Sequence, residues 1–346
     1  MRKSTVLLGI LFLAQACIDP YAGDINFSGP KLVIEGLVTD AFAPYRVKIS
    51  QSVAYNSTDG NVPVQDATVY VQDDKGNTFV FAHDYRGVYF SDPLQFRGEV
   101  GRTYTLFVKT KDGKVVQSAP ETLSKAPEID SAYTLPETSI SIQGVESTQF
   151  GGFLRFKDAT STGEFYRINF ARYEAEEYCK TKIVGEFAVA FKNPCCTSCW
   201  KITPCRGCVL LLSDNLLNGN SVDYRFSAIP YDSQDDYFVL LELSRISRTT
   251  YQFWKTASTQ VNNTGGIFDA PPAALPGNLF NTKDDREQVL GIFSAAGVSR
   301  KGVYLKRNYL SFNPTNTKVP FPTQVVPECV ECLESLNRTR FAPPGW

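Results

Sequence analysis

Cysteine is the residue type whose spacing in this chain lends itself most readily to chemistry. Cys196-x-x-Cys199, Cys205-x-x-Cys208 and Cys329-x-x-Cys332 form three Cys-x-x-Cys pairs. Cys179 and Cys195 complete a set of eight downstream of Cys17. Two such pairs supply the four thiolates of a tetrahedral zinc site. In an oxidising compartment the same residues form disulfides. A redox dithiol is a third use of this spacing, but no βαβ pattern surrounds any of the pairs. We favour disulfides for all eight, with the connectivity open, and expect no metal and no cofactor. Other chemistry has less to work with. The single histidine, His83, stands in Phe81-Ala82-His83-Asp84-Tyr85-Arg86 and reads as a surface residue at a strand end. It leaves room for only one Ser-His-Asp or Cys-His arrangement. Gly-x-Ser-x-Gly, His-Glu-x-x-His, a P-loop and a dinucleotide glycine fingerprint are all absent from the sequence. Asp214, Asp223, Asp232, Asp235 and Asp236 are candidates for a glycosidase carboxylate pair or a calcium site. Their spacing matches no calcium loop, and they read first as solvated turns. No catalytic residue is assigned.

The preference for disulfides depends on export, and the first residues carry that argument. Arg2 and Lys3 give a positive head, residues 6–13 an apolar run, and Ala14-Gln15-Ala16 a stretch ready for cleavage. The apolar run is far shorter than the roughly 20 residues of a spanning helix. Leu13-Ala14-Gln15-Ala16-Cys17 resembles the bacterial lipobox, in which the thiol is acylated and the chain cut just before it. Cys17 is therefore the expected lipid anchor, carrying palmitate-type chains, and residues 1–16 the signal peptide. An ordinary secretory cut near Ala16 is the alternative. Removing Cys17 leaves an even number of cysteines, as a disulfide set requires.

The elements that must position these residues read as strands. The chain has 24 Phe and 17 Tyr against one Met and one His, and aromatic residues favour strands. The formal charge of −1 gives no reason to expect a nucleic-acid partner. Residues 17–30 are polar and contain Pro and Gly, as a tether would. Between 31 and 120, about seven short strands are separated by turn signals such as Asp73-Asp74-Lys75-Gly76 and Lys111-Asp112-Gly113-Lys114. Val33-Ile34-Glu35-Gly36-Leu37-Val38-Thr39-Asp40, Pro63-Val64-Gln65-Asp66-Ala67-Thr68-Val69 and Gly87-Val88-Tyr89 resemble carboxypeptidase-regulatory-like and other Ig-like sandwich modules. That resemblance implies a fold and seldom catalysis.

Residues 121–136 carry prolines and read as a linker. Asp130-Ser131-Ala132 within it resembles an O-glycosylation signal, with a plain turn as the alternative. A second, larger β-rich domain is expected over 137–312, with strands near 152–157, 165–173, 187–191, 209–213, 224–229, 237–244, 288–294 and 302–306. One or two helices belong to it. Ser247 is placed to cap one over 248–261, closed by Gly265-Gly266. Tyr251, Phe253, Trp254 and Phe268 lie on that helix and the loop after it. Exposed, they would form a docking surface; buried, they would be core. Residues 313–346 form a Pro- and Cys-containing tail packed on the body.

Across the whole chain these pieces resemble one group, the Bacteroidota domain-of-unknown-function family four-two-four-nine. The features that carry the resemblance are the lipobox followed by Asp19-Pro20, Val33–Asp40, Gly87-Val88-Tyr89, the 127–133 link, and Ser213-Asp214-Asn215 with Asn218-Gly219. They continue with Leu243-Ser244-Arg245-Ile246-Ser247 before Tyr251, Gly277-Asn278, Val289-Leu290-Gly291-Ile292-Phe293, and Cys329-x-x-Cys332 with a closing Pro344-Gly345-Trp346. The resemblance implies an outer-membrane, cell-surface lipoprotein often encoded beside a TonB-dependent receptor, and it brings no catalytic residues with it. The expected function is a non-catalytic accessory or substrate-binding partner of a TonB-dependent transporter. A carboxylate enzyme acting on polysaccharide and a structural or adhesive lipoprotein are the alternatives.

Overall fold

The computed structural model describes residues 29–307 and 332–343, apart from 55–56, 59, 141–143, 145, 178–181, 185–186, 190–197, 206, 215–217, 232–235, 263–274, 276 and 336. The chain is mainly β, as its composition leads one to expect. The first strands are β1 (Leu32–Thr39), β2 (Arg46–Gln51), β3 (Val62–Pro63), β4 (Thr68–Asp73), β5 (Thr78–Tyr85), β6 (Val88–Ser91), β7 (Thr103–Lys109), β8 (Val115–Ser118) and β9 (Glu121–Thr122). Then come β10 (Ile129–Ile140), β11 (Glu146–Lys157), β12 (Phe165–Glu177), β13 (Lys182–Val184), β14 (Phe187–Val189), β15 (Ser198–Pro204), β16 (Leu210–Ser213), β17 (Ser221–Pro230) and β18 (Tyr237–Ile246). Among the described residues one helix, α1 (Arg248–Asn262), precedes β19 (Leu279–Asn281), β20 (Leu290–Leu305) and β21 (Arg338–Thr339).

One long sheet runs β19-β8-β7-β4-β5-β6-β2-β1-β20-β18-β12-β15-β21. Its first half curls around a single core, to which Ile34, Val47, Ile49, Val71, Leu106 and Phe293 contribute fully buried side chains. A separate sheet, β10-β11-β17, faces β12, β18 and the end of β20 across a second core that includes Phe150, Phe156, Tyr166, Ile168 and Leu241. Two sheets facing one another across interdigitating side chains make a sandwich.

Strand β20 belongs to both cores. Its first half pairs in parallel with β1 and gives Phe293 and Ala295 to the first core. Its second half pairs antiparallel with β18 and gives Val303 and Leu305 to the second. The sequence suggested two strands here, near 288–294 and 302–306, with Ala295-Ala296-Gly297 between them. Those small residues instead admit a neighbouring backbone: a Cβ on Gly297 would lie 2.3 Å from the carbonyl oxygen of Ser124. Gly291 faces a tighter approach. It has φ of 105°, and a Cβ there would sit 1.9 Å from the Ile34 carbonyl oxygen. Only glycine fits that position.

Residues 121–136, read as a linker, hold β9 and the beginning of β10. Pro136 lies within β10, opposite Phe150. It is tolerated because β10 is an edge strand, where a missing N–H breaks no ladder bond. The helix begins where the sequence placed it: Thr250 N donates to Ser247 Oγ at 3.1 Å, and Tyr251 N to Ser247 O at 2.9 Å.

Candidate functional site

Strand alternation builds a polar hollow on the outer face of β12, β18 and β1. On β12, Tyr166, Ile168 and Phe170 enter the second core, so Phe165, Arg167 and Asn169 face the other way. On β18, Leu241 and Leu243 point inward and Glu242, Ser244 and Ile246 outward. The register sets Arg167 beside Ser244 and Asn169 beside Glu242, with Arg300 of β20 opposite Glu242. On β1, Ile34 and Val38 are core, which turns Glu35, Leu37 and Thr39 to the same outer face.

Helix α1 lies over part of this face. Tyr251 packs on Phe165 with ring centroids 4.6 Å apart, Phe253 is buried, and Thr250 Oγ1 lies 2.9 Å from Ser294 Oγ. The segment from Ala43 to Arg46 closes another side. A cavity of about 230 Å³ is left between them, bordered by Glu35, Arg46, Arg167, Asn169, Glu242, Ser244, Trp254 and Arg300 among others.

Its charges are unevenly matched. Arg46 pairs with Glu35 at 3.7 Å, and Arg300 Nη2 with Glu242 at 2.8 Å. Arg167 makes no ion pair and no side-chain hydrogen bond among the described residues, and its Nε is sealed from water without an acceptor. Its guanidinium carbon sits 3.9 Å from the centre of the Trp254 ring. That distance is well within cation–π range. Burial pushes the Arg167 pKa down, and the charges of Glu35 and Glu242 oppose that shift. The group stays charged, because arginine keeps its proton in proteins.

A different arrangement lies on the inner side of β12. The Tyr166 hydroxyl lies 2.5 Å from both Asp158 Oδ1 and Glu164 Oε2, and all three residues are buried. Glu164 also pairs with Arg245 and accepts from Ser161 Oγ. Asp214 accepts from Gly163 N at 3.1 Å. Burial, then the two carboxylate contacts, push the Tyr166 hydroxyl pKa well above its ordinary value. The cluster ties the 158–164 loop to β12.

The residues marked by the sequence are dispersed. Cys199 is bonded to Cys332, and Cys205 to Cys208. Cys17, Cys179, Cys195, Cys196, Cys329, Asp232, Asp235 and Phe268 lie outside the described residues. Asp223, on an exposed face of β17, is held by Arg155 and by the Tyr133 hydroxyl at 2.8 Å, and this pairing lowers its pKa. Asp236 accepts from the Tyr304 hydroxyl. His83 meets Tyr89 edge-on in the first sheet. Of the four aromatics, Trp254 borders the cavity, while Tyr251 and Phe253 seat the helix. The sequence reading passed over Arg167, Asn169 and Glu242. The available signal was a charge inside the alternating run Phe165-Tyr166-Arg167-Ile168-Asn169-Phe170.

Fold and cavity together define a two-core β protein with a small polar hollow under its helix. The chain belongs to the family described as Domain of unknown function (DUF4249), whose model matches residues 18–302 and so spans the whole cavity. No match was found among curated proteins.

Proposed function

We propose that this chain is a lipid-anchored, surface-facing protein of a Gram-negative outer membrane that binds ligand, without transforming it, for a TonB-dependent transporter. The observation that carries the binding reading is the cavity. A partly desolvated guanidinium stacked on an indole is a recognition group, and both carboxylates beside it are engaged by arginines. Attachment in this reading is by acyl chains on Cys17. Several chains hold firmly, since each buried CH₂ adds roughly 0.8 kcal/mol.

Two measurements test the proposal. Pull-down of the native protein in mild detergent should bring a barrel of receptor size; repeated recovery of the chain alone would count against the partner. Cys17→Ser should move the protein from the membrane to the soluble fraction in a strain lacking the transporter. A first residue other than Cys17 in the wild type, with no lipid mass, would remove the anchor.

A further inference from the structure

Three arginines and two glutamates border the cavity. Arg300 is hydrogen-bonded to Glu242 and Arg46 faces Glu35 at 3.7 Å, while Arg167 forms an ion pair with neither among the described residues, so the positive charges exceed the negative ones by one. Holding a guanidinium there costs desolvation, and that cost is offset when an anion arrives. We propose that the cavity is a carboxylate-binding site in which Arg167 takes the charged end of a small organic acid. This rests on the binding reading above and names its ligand class.

Several features select a carboxylate. One uncompensated positive charge matches one negative charge. A phosphate dianion would bring surplus negative charge beside Glu35 and Glu242. The planar fork of a guanidinium fits the two oxygens of a carboxylate. Contact with the Trp254 ring, 3.9 Å from its centre, limits the freedom of the guanidinium before the ligand arrives, which lowers the ordering cost of binding. Asn169 makes no side-chain hydrogen bond among the described residues and borders the cavity with Ser244, so neutral groups are at hand for a neighbouring amide or hydroxyl. The volume, about 230 Å³, is below the roughly 300 Å³ at which drug-sized sites begin. It suits an acid head with a few carbons, the rest of a larger molecule staying outside.

The test uses full-length protein in an uncharged detergent, followed by calorimetry and tryptophan fluorescence. The probes are acetate, N-acetylalanine against N-acetylalaninamide, glucuronate against glucose, and inorganic phosphate. At least one carboxylate should saturate, its neutral partner binding about 10-fold more weakly or worse, with phosphate also weaker. The N-acetylalanine and glucuronate arms separate a peptide terminus from a sugar acid as the source. Arg167→Gln should lose about 10-fold or more, and Arg167→Lys should fall between, keeping the charge but not the fork. Glu35→Gln, which removes a competing charge from a half-exposed position, should tighten binding.

Equal binding of acids and their neutral partners, affinity retained in Arg167→Gln, or no carboxylate saturating by about 10 mM would each overturn the assignment. If Arg167→Gln fails to give a folded melting transition, Glu35→Gln decides: tighter binding supports the site, and unchanged or weaker binding overturns it. Failure here alongside a recovered barrel would leave the transporter reading standing. Carboxylate binding without a barrel would do the reverse.

Discussion

Tyr166 and Arg167 are neighbours on β12, yet they face opposite worlds. Tyr166 is buried between Asp158 and Glu164, and its cluster extends to Arg245 and Ser161 beside the second core. Arg167 faces a hollow under α1, with an aromatic ring on one side and no anion of its own among the described residues. The strand's two-residue period makes this division, because each step along the chain flips the side chain to the other face. The difference teaches that one strand can carry a hydrogen-bonded polar cluster on one face and a guanidinium without an ion pair on the other. On the inner face, hydrogen bonds join the polar groups to one another, with Asp158 Oδ2 and Asp214 Oδ2 left without a partner among the described residues. On the outer face, Arg167 has no ion pair among the described residues and its Nε no acceptor.

The sharpest way to break this comparison is through stability. Ile168→Ala, at a fully buried inner-face position, should cost about 2–5 kcal/mol in urea denaturation, since it removes packing and leaves a cavity. A loss under about 1 kcal/mol would mean that the inner face is not the stabilising one. Tyr166→Phe should cost about 1–3 kcal/mol, because it strips the shared hydroxyl from two buried carboxylates. Equal stability of this variant and wild type would show that the shared hydroxyl does not hold the cluster together. Arg167→Gln should change stability by no more than about 1 kcal/mol, since the lost contact with Trp254 and attraction to Glu35 and Glu242 are offset by relief of the buried charge. A larger loss would make Arg167 a structural residue and merge the two faces.

The smallest effect concerns Glu121, which lies buried under the start of α1. Burial raises its carboxyl pKa, against hydrogen bonds from Ser247 and Asn278. A raised carboxyl favours the folded state while protonated, and that contribution is lost as pH rises through its shifted value. Glu121→Gln should therefore melt higher than wild type at neutral pH. The gap should close as pH falls through the ordinary carboxylate range. A gap independent of pH would place the cause elsewhere than in the charge.

The chain's local patterns foretold much of this architecture. Strands near 165–173, 224–229 and 237–244 match β12, β17 and β18 to within a few residues at their ends, and Ser247 caps α1 as its position before Arg248 suggests. These features arise within a few residues of backbone: alternation follows from the pleat, and a cap from one side-chain oxygen beside free N–H groups. Strand β20 was expected as two strands, near 288–294 and 302–306, and the backbone that crosses close to Gly297 comes from Ser124, far away in the sequence. The cavity was harder still to see. Glu35, Arg167, Glu242 and Arg300 are spread over most of the sequence, and nothing local marks them as neighbours. What joined them was the parallel pairing of β1 with β20 and the antiparallel order β20-β18-β12. The pairing of Cys199 with Cys332, 133 residues apart, was likewise decided in three dimensions. Secondary structure is dictated over short distances along the chain. The counter-charge of a guanidinium and the partner of a thiol depend on which distant strands the sheet brings side by side.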